Sequence, residues 1–114
     1  MNDVTKSIKI TLLSEMAEKM YGNLVKAVVD IKLNKLVVNV EMHSDAEVYL
    51  LKIGSVQSDL WGINLYPNKF GTDEFIEFDS MINIRPRENN MSRMIESEET
   101  RRLIINLVNI KVTK

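Results

Sequence analysis

Apolar and polar residues recur with two different periods along this chain, and the changes of period mark its elements. Over residues 11–22 the apolar residues stand three and four positions apart, which predicts an amphipathic helix with Thr11 as its N-cap and Gly22 at its end. Residues 24–31 and 36–42 are rich in valine, and the second segment alternates strictly, so we expect two strands. The polar segment between them contains Asn34 and predicts a hairpin turn.

A second helix is indicated by a capping-box pattern. The Ser44 hydroxyl is placed to accept from the amide of Glu47, and Gly54 marks the expected end of this helix. Residues 60–66 and 74–85 then alternate with a period of two, which predicts a third strand and a long fourth strand.

The last helix follows a polar loop over residues 86–94. Ser97 is its expected N-cap, and Glu98 and Glu99 fall in the first turn, where the helix dipole favours negative charge. Its expected apolar side consists of Leu103, Ile104, Leu107, Val108 and Ile110.

The order α-ββ-α-ββ-α predicts an α+β fold with a mainly antiparallel, four-stranded sheet made of two hairpins. Because the strands alternate as half-covered strands do, we expect the helices to pack on one face of the sheet. Residues 1–9 predict either a short strand or a loosely ordered tail. No linker interrupts the pattern, so residues 1–114 are expected to form a single domain.

The composition excludes several kinds of catalytic and metal site. The chain has 114 residues, of which 45% are hydrophobic, no cysteine and a single histidine, His43. Disulfides, thiol catalysis, cysteine-based zinc sites and a two-histidine metal site within one chain are therefore excluded. The four glycines form no phosphate-binding or dinucleotide-binding motif. We expect neither a metal nor another cofactor.

The charge balance bears on partners. Lysine and arginine total 15 and aspartate and glutamate total 16, for a net charge of −1, which disfavours general nucleic-acid binding. No apolar run approaches the roughly 20 residues of a membrane span. The first nine residues lack the features of a signal peptide, so a cytoplasmic location is expected.

Several stretches of the chain resemble a known family. The strings VKAVVDI, MHSDAE, DLWGINLYP and FIEFDSMINIRP, with NNMSR further along, are similar to those of short prokaryotic proteins catalogued as a domain of unknown function. The resemblance covers roughly residues 14 to 110. It implies a compact domain and lends no catalytic residue, substrate or cofactor.

An arginine-rich loop is the first candidate site. Guanidinium groups suit phosphate or carboxylate, and neighbouring amides and a hydroxyl add donors. The predicted anion-binding residues are Arg85, Arg87, Asn89, Asn90, Ser92 and Arg93. The alternative is an ordinary solvated loop whose arginines pair with Glu88, Glu96 and Glu98.

The outer face of the third and fourth strands is the second candidate. Its predicted polar members are Asn64, Tyr66, Glu77, Asp79 and Asn83, followed by Arg85. Paired carboxylates suit cation binding or acid–base work, but a wet sheet face is polar in any case. Phe75 and Met81 on the same face favour a partly covered surface, for which a second copy of the chain is a candidate.

Two isolated residues, His43 and Trp61, are further candidates for a functional role. His43 precedes the predicted capping box without a nucleophile motif or a second histidine, so we interpret it as structural or exposed rather than as a base. Trp61 shares its predicted face with Ile63 and Leu65, which indicates core packing rather than base stacking.

Two functions remain open at this point. The first is a small cytoplasmic binding or interaction domain, self-associating as a homodimer and taking a small anionic ligand, without catalytic activity of its own. The second is a small hydrolase or metal- or phosphate-handling enzyme that uses Glu77 and Asp79 together with the loop arginines. A loop folded over these carboxylates into a pocket favours the enzyme, and a flat face favours the binding domain.

Overall fold

A five-stranded antiparallel sheet forms the centre of the molecule, in a computed structural model that describes residues 1–114. In chain order the elements are β1 (Asn2–Asp3), β2 (Ile8–Lys9), α1 (Ile10–Met20), β3 (Val25–Asp30), β4 (Lys35–Val38), α2 (His43–Lys52), β5 (Leu60–Leu65), β6 (Ile76–Glu77), α3 (Glu98–Lys111) and β7 (Val112–Thr113). The strand order across the sheet is β1-β4-β3-β5-β6, and β2 and β7 form a separate parallel pair.

The α+β class is confirmed, but the four-stranded layout is wrong. The N-terminal residues supply an extra edge strand, because β1 pairs with β4 through Asn2 with Val38 and Asp3 with Val37. The same region also contributes β2, which pairs Ile8 with Val112. Of the two alternatives for residues 1–9, the strand is therefore the one that the structure adopts.

The helices pack on both faces of the sheet, which corrects the expectation of a single covered face. Alternate residues of β3 reach opposite layers: Ala27 and Val29 belong to a core with α1 and α3, whereas Val28 packs with Leu50 of α2. Every residue of β3 except Lys26 is buried, so this strand has no wet face. Central strands that are buried on both faces carry near-continuous apolar runs, as this one does.

The β3–β4 hairpin matches its prediction except at its end. Asn34 adopts a positive φ of 55° in the turn, as expected. Leu36 and Val38 face the core beside α1 and α3, but Val40 does not follow them. The left-handed backbone at Asn39, with φ of 62°, breaks the alternation and turns Val40 toward α2.

The long fourth strand is the largest error of the sequence-based prediction. Only Ile76–Glu77 pairs with β5 as β6, and Met81–Asn83 forms a short 3₁₀ helix instead. The Ser80 hydroxyl oxygen accepts from the amide of Ile82 at 3.3 Å and starts this turn. The segment passes so close to β5 that a Cβ on Gly62 would lie 2.5 Å from the Cβ of Ser80. Glycine at position 62 is what allows this approach.

The helix starts were predicted with mixed success. Ser97 caps α3 as expected, accepting from the amide of Thr100 at 3.1 Å. Thr11 and Ser44 are not caps, because α1 begins at Ile10 and α2 begins at His43, both without a side-chain cap. On α3, the buried residues are Ile104, Leu107 and Val108, whereas Leu103 and Ile110 are exposed. None of the three helices has the length and apolarity that a membrane crossing requires.

Candidate functional site

A pocket of about 170 Å³ lies where the start of α2 meets the sheet and the segment that follows β6. We call it the His43 pocket, and its polar lining consists of Lys26, His43, Ser44, Asn64, Asp79, Ser80 and Arg93. The strand register explains part of this grouping, because Lys26 of β3 stands directly opposite Asn64 of β5 on the face that α2 covers. The pocket therefore joins residues from five separate stretches of the chain.

His43 is fixed in one tautomer by the sheet. It is the first residue of α2, is only 9% exposed, and its Nε2 lies 2.9 Å from the carbonyl oxygen of Ile63. Because a carbonyl only accepts, Nε2 carries a proton and donates. Burial lowers the pKa of His43, an effect that Lys26 reinforces and that hydrogen bonds with the Ile63 carbonyl and the Asn64 side chain, together with the charge of Asp79, oppose. The ring is therefore neutral at neutral pH, and Nδ1 is left as an acceptor.

Arg93 also lines the pocket and pairs with Asp79. Its Nε lies 2.7 Å from Oδ1 of Asp79, with both side chains partly exposed. A pair of this kind contributes only about 0–1 kcal/mol to stability. The stronger anchor is the main chain, since the carbonyl of Arg93 accepts from the amide of Ser80 at 3.1 Å and from Nδ2 of Asn83 at 3.0 Å.

Lys26 supplies a second cation without a carboxylate partner. Its ammonium lies 4.9 Å from the centroid of the Tyr21 ring, and it takes part in none of the four ion pairs of the protein. The Tyr21 hydroxyl in turn donates to the carbonyl of Glu41, which holds the ring in place. With Lys26 and Arg93 against the single carboxylate of Asp79, the pocket has an excess of positive charge.

The N-terminus of α2 adds donors to the same pocket. The main-chain amides of His43 and Ser44 have no hydrogen-bond partner in the protein, and no side chain caps the helix. Such amides, together with the helix dipole, favour negative charge. Ser44 was expected to cap the helix, but it lies within the first turn and lines the pocket instead.

Three members of the predicted polar face do come together beside the pocket. Nδ2 of Asn64 donates to Oε1 of Glu77 at 2.9 Å and to the main-chain carbonyl of Asp79 at 3.3 Å. The Tyr66 hydroxyl donates to the same Oε1 at 3.0 Å, and burial followed by Glu77 raises the pKa of Tyr66. These bonds fix the orientation of the Asn64 amide, whose Oδ1 is buried without a partner.

Asn83 does not belong to this face, because the chain has left the sheet. It is completely buried, and its amide spans the backbone of Gly62: Oδ1 accepts from the amide at 2.8 Å, and Nδ2 donates to the carbonyl at 2.9 Å. A single side chain thus supplies hydrogen-bond partners for the backbone of β5 at a position that β6 does not reach. Phe75 is buried as well, so its expected cover comes from the chain itself, whereas Met81 is exposed.

The loop arginines do not converge on one point. Only Arg93 lines the His43 pocket, whereas Arg85 and Arg87 line a separate cleft of about 300 Å³. The guanidinium carbon of Arg85 lies 4.0 Å from the ring centroid of Trp61, and its nitrogens donate to the carbonyls of Gln57 and Leu60. Trp61 itself is buried in the core, as predicted.

The other residues of the predicted anion loop build the loop itself. The Nδ2 of buried Asn90 donates to the carbonyls of Asn83 and Met94, both at 2.7 Å, and Oδ1 accepts from the amide of Glu96 at 2.8 Å. Asn89 adopts a left-handed conformation with φ of 59°, and the Ser92 amide donates to the Glu96 carboxylate at 3.1 Å. None of these three lines the His43 pocket.

The sequence pattern did not point to Lys26, and it assigned His43 and Ser44 to other roles. One signal was available: Lys26 is the only charged residue within the apolar run VKAVV, and a charge inside a buried strand needs a reason. For metal binding, the structure contains no group of three or more histidine, aspartate or glutamate side chains close enough to hold an ion.

Comparisons with known proteins place the chain in a family. Searches of curated proteins and of solved structures give no match. A family model described as Protein of unknown function (DUF5674) matches residues 2–111, nearly the whole chain. The protein therefore belongs to the DUF5674 family, whose function is unknown.

Proposed function

We propose that this protein is a small-molecule binding domain that takes a small anionic ligand in the His43 pocket. One observation carries the proposal: Lys26, Arg93 and the unpartnered amides at the start of α2 converge on a pocket that holds one carboxylate. Cations and helix N-terminal amides are the donors that carboxylate and phosphate groups need. The anionic group of the ligand would accept hydrogen bonds from these donors.

The state of the two acidic residues favours binding over the hydrolase or metal-handling alternative. Oε1 of Glu77 accepts from both Asn64 and Tyr66, and Oδ1 of Asp79 accepts from Arg93, so each carboxylate is already bonded to neighbouring side chains. The structure also contains no group of three or more acidic or histidine side chains close enough to hold a metal ion. Asp79 acts here as the group that holds Arg93 at the pocket rim.

Calorimetric titration with phosphate, sulfate and acetate tests the proposal. We expect wild-type protein to bind at least one of these anions and Arg93→Ala to weaken that binding about tenfold, the value of one charge-assisted hydrogen bond. Arg87→Ala is the matched control, because it removes the same charge from a neighbouring loop position that lines a different cleft. Absence of binding, or an equal loss in both variants, would contradict the proposal.

Self-association is a second proposal, supported by a different surface. The solvent side of α3 exposes Leu103 and Ile110, which stand seven positions apart on the same helix face, with Ile110 75% exposed. Apolar side chains grouped on one helix face are typical of contact surfaces between chains. Light scattering after size exclusion should then give the mass of a dimer for wild type and of a monomer for Ile110→Lys. A monomer for both proteins would dismiss this proposal and leave the binding proposal untouched.

A further inference from the structure

We propose that the outer edge of β6 is a docking site for an extended peptide segment of a partner protein, in which a basic residue stands between two apolar ones. β6 takes the last place in the strand order, so no further strand covers its outer side. This edge shares no lining residue with the His43 pocket, and its role does not depend on anion binding there.

The backbone of β6 directs hydrogen-bonding groups outward along this edge. The amide of Tyr66 donates to the carbonyl of Phe75, so these two residues form a hydrogen-bonded pair at the start of the ladder. Because such pairs alternate along antiparallel strands, Glu77 is the next residue that faces β5, and the amides and carbonyls of Ile76 and Phe78 point away. The backbone of Phe78 forms no hydrogen bond within the protein. An added strand can pair with these outward groups.

Two clefts border the same stretch of backbone. One, of about 350 Å³, lies between β6 and α3 and is lined by Ile76, Phe78 and Ile105. The other, of about 460 Å³, is lined by Ile76 and Phe78 again, together with Glu77 and Met94. Ile76 and Phe78 are only partly buried, so a strand paired at this edge would cover apolar side chains that solvent now reaches.

The charge of the edge favours a basic partner. Four carboxylates stand within residues 73–79, and no lysine or arginine lies between them. Two of the four pair with cations, whereas Asp73 and Glu77 take part in none of the ion pairs of the protein. Both of these residues are exposed. A lysine or arginine opposite Glu77 would therefore gain from an unpaired negative charge.

The alternation of β6 sets the pattern of the partner segment. Ile76 and Phe78 pack against the larger core, whereas Glu77 lies on the opposite face of the sheet. Side chains of paired strands meet on the same face, so the residues opposite Ile76 and Phe78 should be apolar and the residue between them basic. The expected segment thus reads apolar, basic, apolar.

A second copy of the chain fits this edge less well. It would add a strand with the same carboxylates, and like charges that stand opposite one another destabilise a strand pair. Charged side chains on an exposed edge are a common protection against pairing between copies. The acidic edge of β6 therefore disfavours its own kind and attracts a strand of opposite charge.

The peptide acetyl-Thr-Val-Lys-Val-Thr-amide is the probe, because it has the expected pattern and reads the same in both directions. Titrated into isotopically labelled protein, it should shift the amide signals of Ile76 and Phe78 most and protect both amides against hydrogen exchange. The matched peptide with Glu in place of Lys should bind about three- to tenfold more weakly. The Lys peptide methylated on the amide nitrogens of both valines should not bind, because these nitrogens would face β6.

Charge reversal on the protein is a second test. Glu77→Lys should bind the Glu peptide more tightly than the Lys peptide. Glu15→Lys is the matched control, because it makes the same charge change at an exposed position of α1 that lines neither cleft, and it should keep the original preference. The peptide comparison needs wild-type protein only, so it decides the question even if Glu77→Lys does not fold.

Three results would overturn the proposal. The first is equal binding of the Lys and Glu peptides, or no binding of the Lys peptide at millimolar concentration. The second is binding that leaves the amides of Ile76 and Phe78 unprotected. The third is protection of these amides that grows with protein concentration without peptide, which would assign the edge to a second copy. None of these results bears on the anion site, which the Arg93→Ala titration tests separately.

Discussion

The two faces of the sheet are built on different principles. The face under α1 and α3 is an apolar core of 19 buried residues, which includes Ala27, Ile63 and Ile104. The opposite face, under α2, has an apolar cluster of only 6 buried residues, and its remaining area is covered by Asn64, Asn83, Ser80 and the loop that Asn90 holds together. The first face is stabilised by the burial of apolar surface, which does not depend on direction. The second is stabilised by hydrogen bonds, which are directional.

This difference explains where the pocket lies. Side chains in an apolar core interdigitate and leave few voids, so polar groups do not converge within the larger core itself. Amide-to-backbone hydrogen bonds hold a loop at a fixed distance without filling the space beneath it. The His43 pocket is therefore found on the polar face, between α2 and a loop that Asn83 ties to β5.

The largest expected effect on stability is in the apolar core. Ile104→Ala removes a fully buried side chain and should lower the free energy of unfolding by about 3–4 kcal/mol, as cavity-forming substitutions do. Ile105→Ala on the same helix is the control, because Ile105 is 38% exposed and should lose less than about 1 kcal/mol. Urea unfolding of both variants measures this, and equal losses would mean that α3 does not pack as described.

A somewhat smaller effect is expected from the polar face, with an added consequence for binding. Asn83→Leu keeps the size of the side chain but leaves the amide and carbonyl of Gly62 and the carbonyl of Arg93 without their partner. We expect a loss of about 2–3 kcal/mol and weaker anion binding, because Arg93 loses its anchor. Asn106→Leu, at an exposed position of α3, is the control and should change neither the free energy of unfolding nor the anion binding. A stable Asn83→Leu variant would show that the polar face is not held by this amide.

The smallest of the three effects is the pH dependence that His43 contributes. Its pKa in the folded protein is lower than in the unfolded chain, where it is about 6.5, because burial disfavours the charged ring. Between these two values the unfolded state binds more protons, so stability is lost as the pH falls through that interval. Wild type should lose more stability than His43→Gln between about pH 7.5 and about pH 5.5. Identical losses in urea unfolding would rule out a buried neutral His43.

The sequence was sufficient for the elements whose signals are local. The β3–β4 turn follows from Asn34, and the start of α3 follows from Ser97 and its acidic first turn, since each feature depends on a few neighbouring residues. The second helix was also placed well, apart from its first residue.

The elements that failed depend on distant partners. Residues 74–85 alternate well enough to predict one long strand, except that Ser80 occupies an apolar position of the pattern. The decisive reason lies some 20 positions away, because Gly62 leaves room for Ser80 and offers its backbone to Asn83. The His43 pocket was missed for the same cause: Lys26, His43 and Arg93 become neighbours only after β3, α2 and the loop have assembled.

The two hydrogen bonds between Asn83 and Gly62 also protect this sheet edge against pairing with a strand of another copy of the chain. A strand edge with free amides and carbonyls is a template on which a strand of another molecule can add, and this is a common route to aggregation. β6 covers β5 only at Asn64 and Leu65, which leaves the preceding part of that edge to other groups. At Gly62 the Asn83 amide already occupies both backbone positions, so an incoming strand would have to displace a buried side chain before it could pair there.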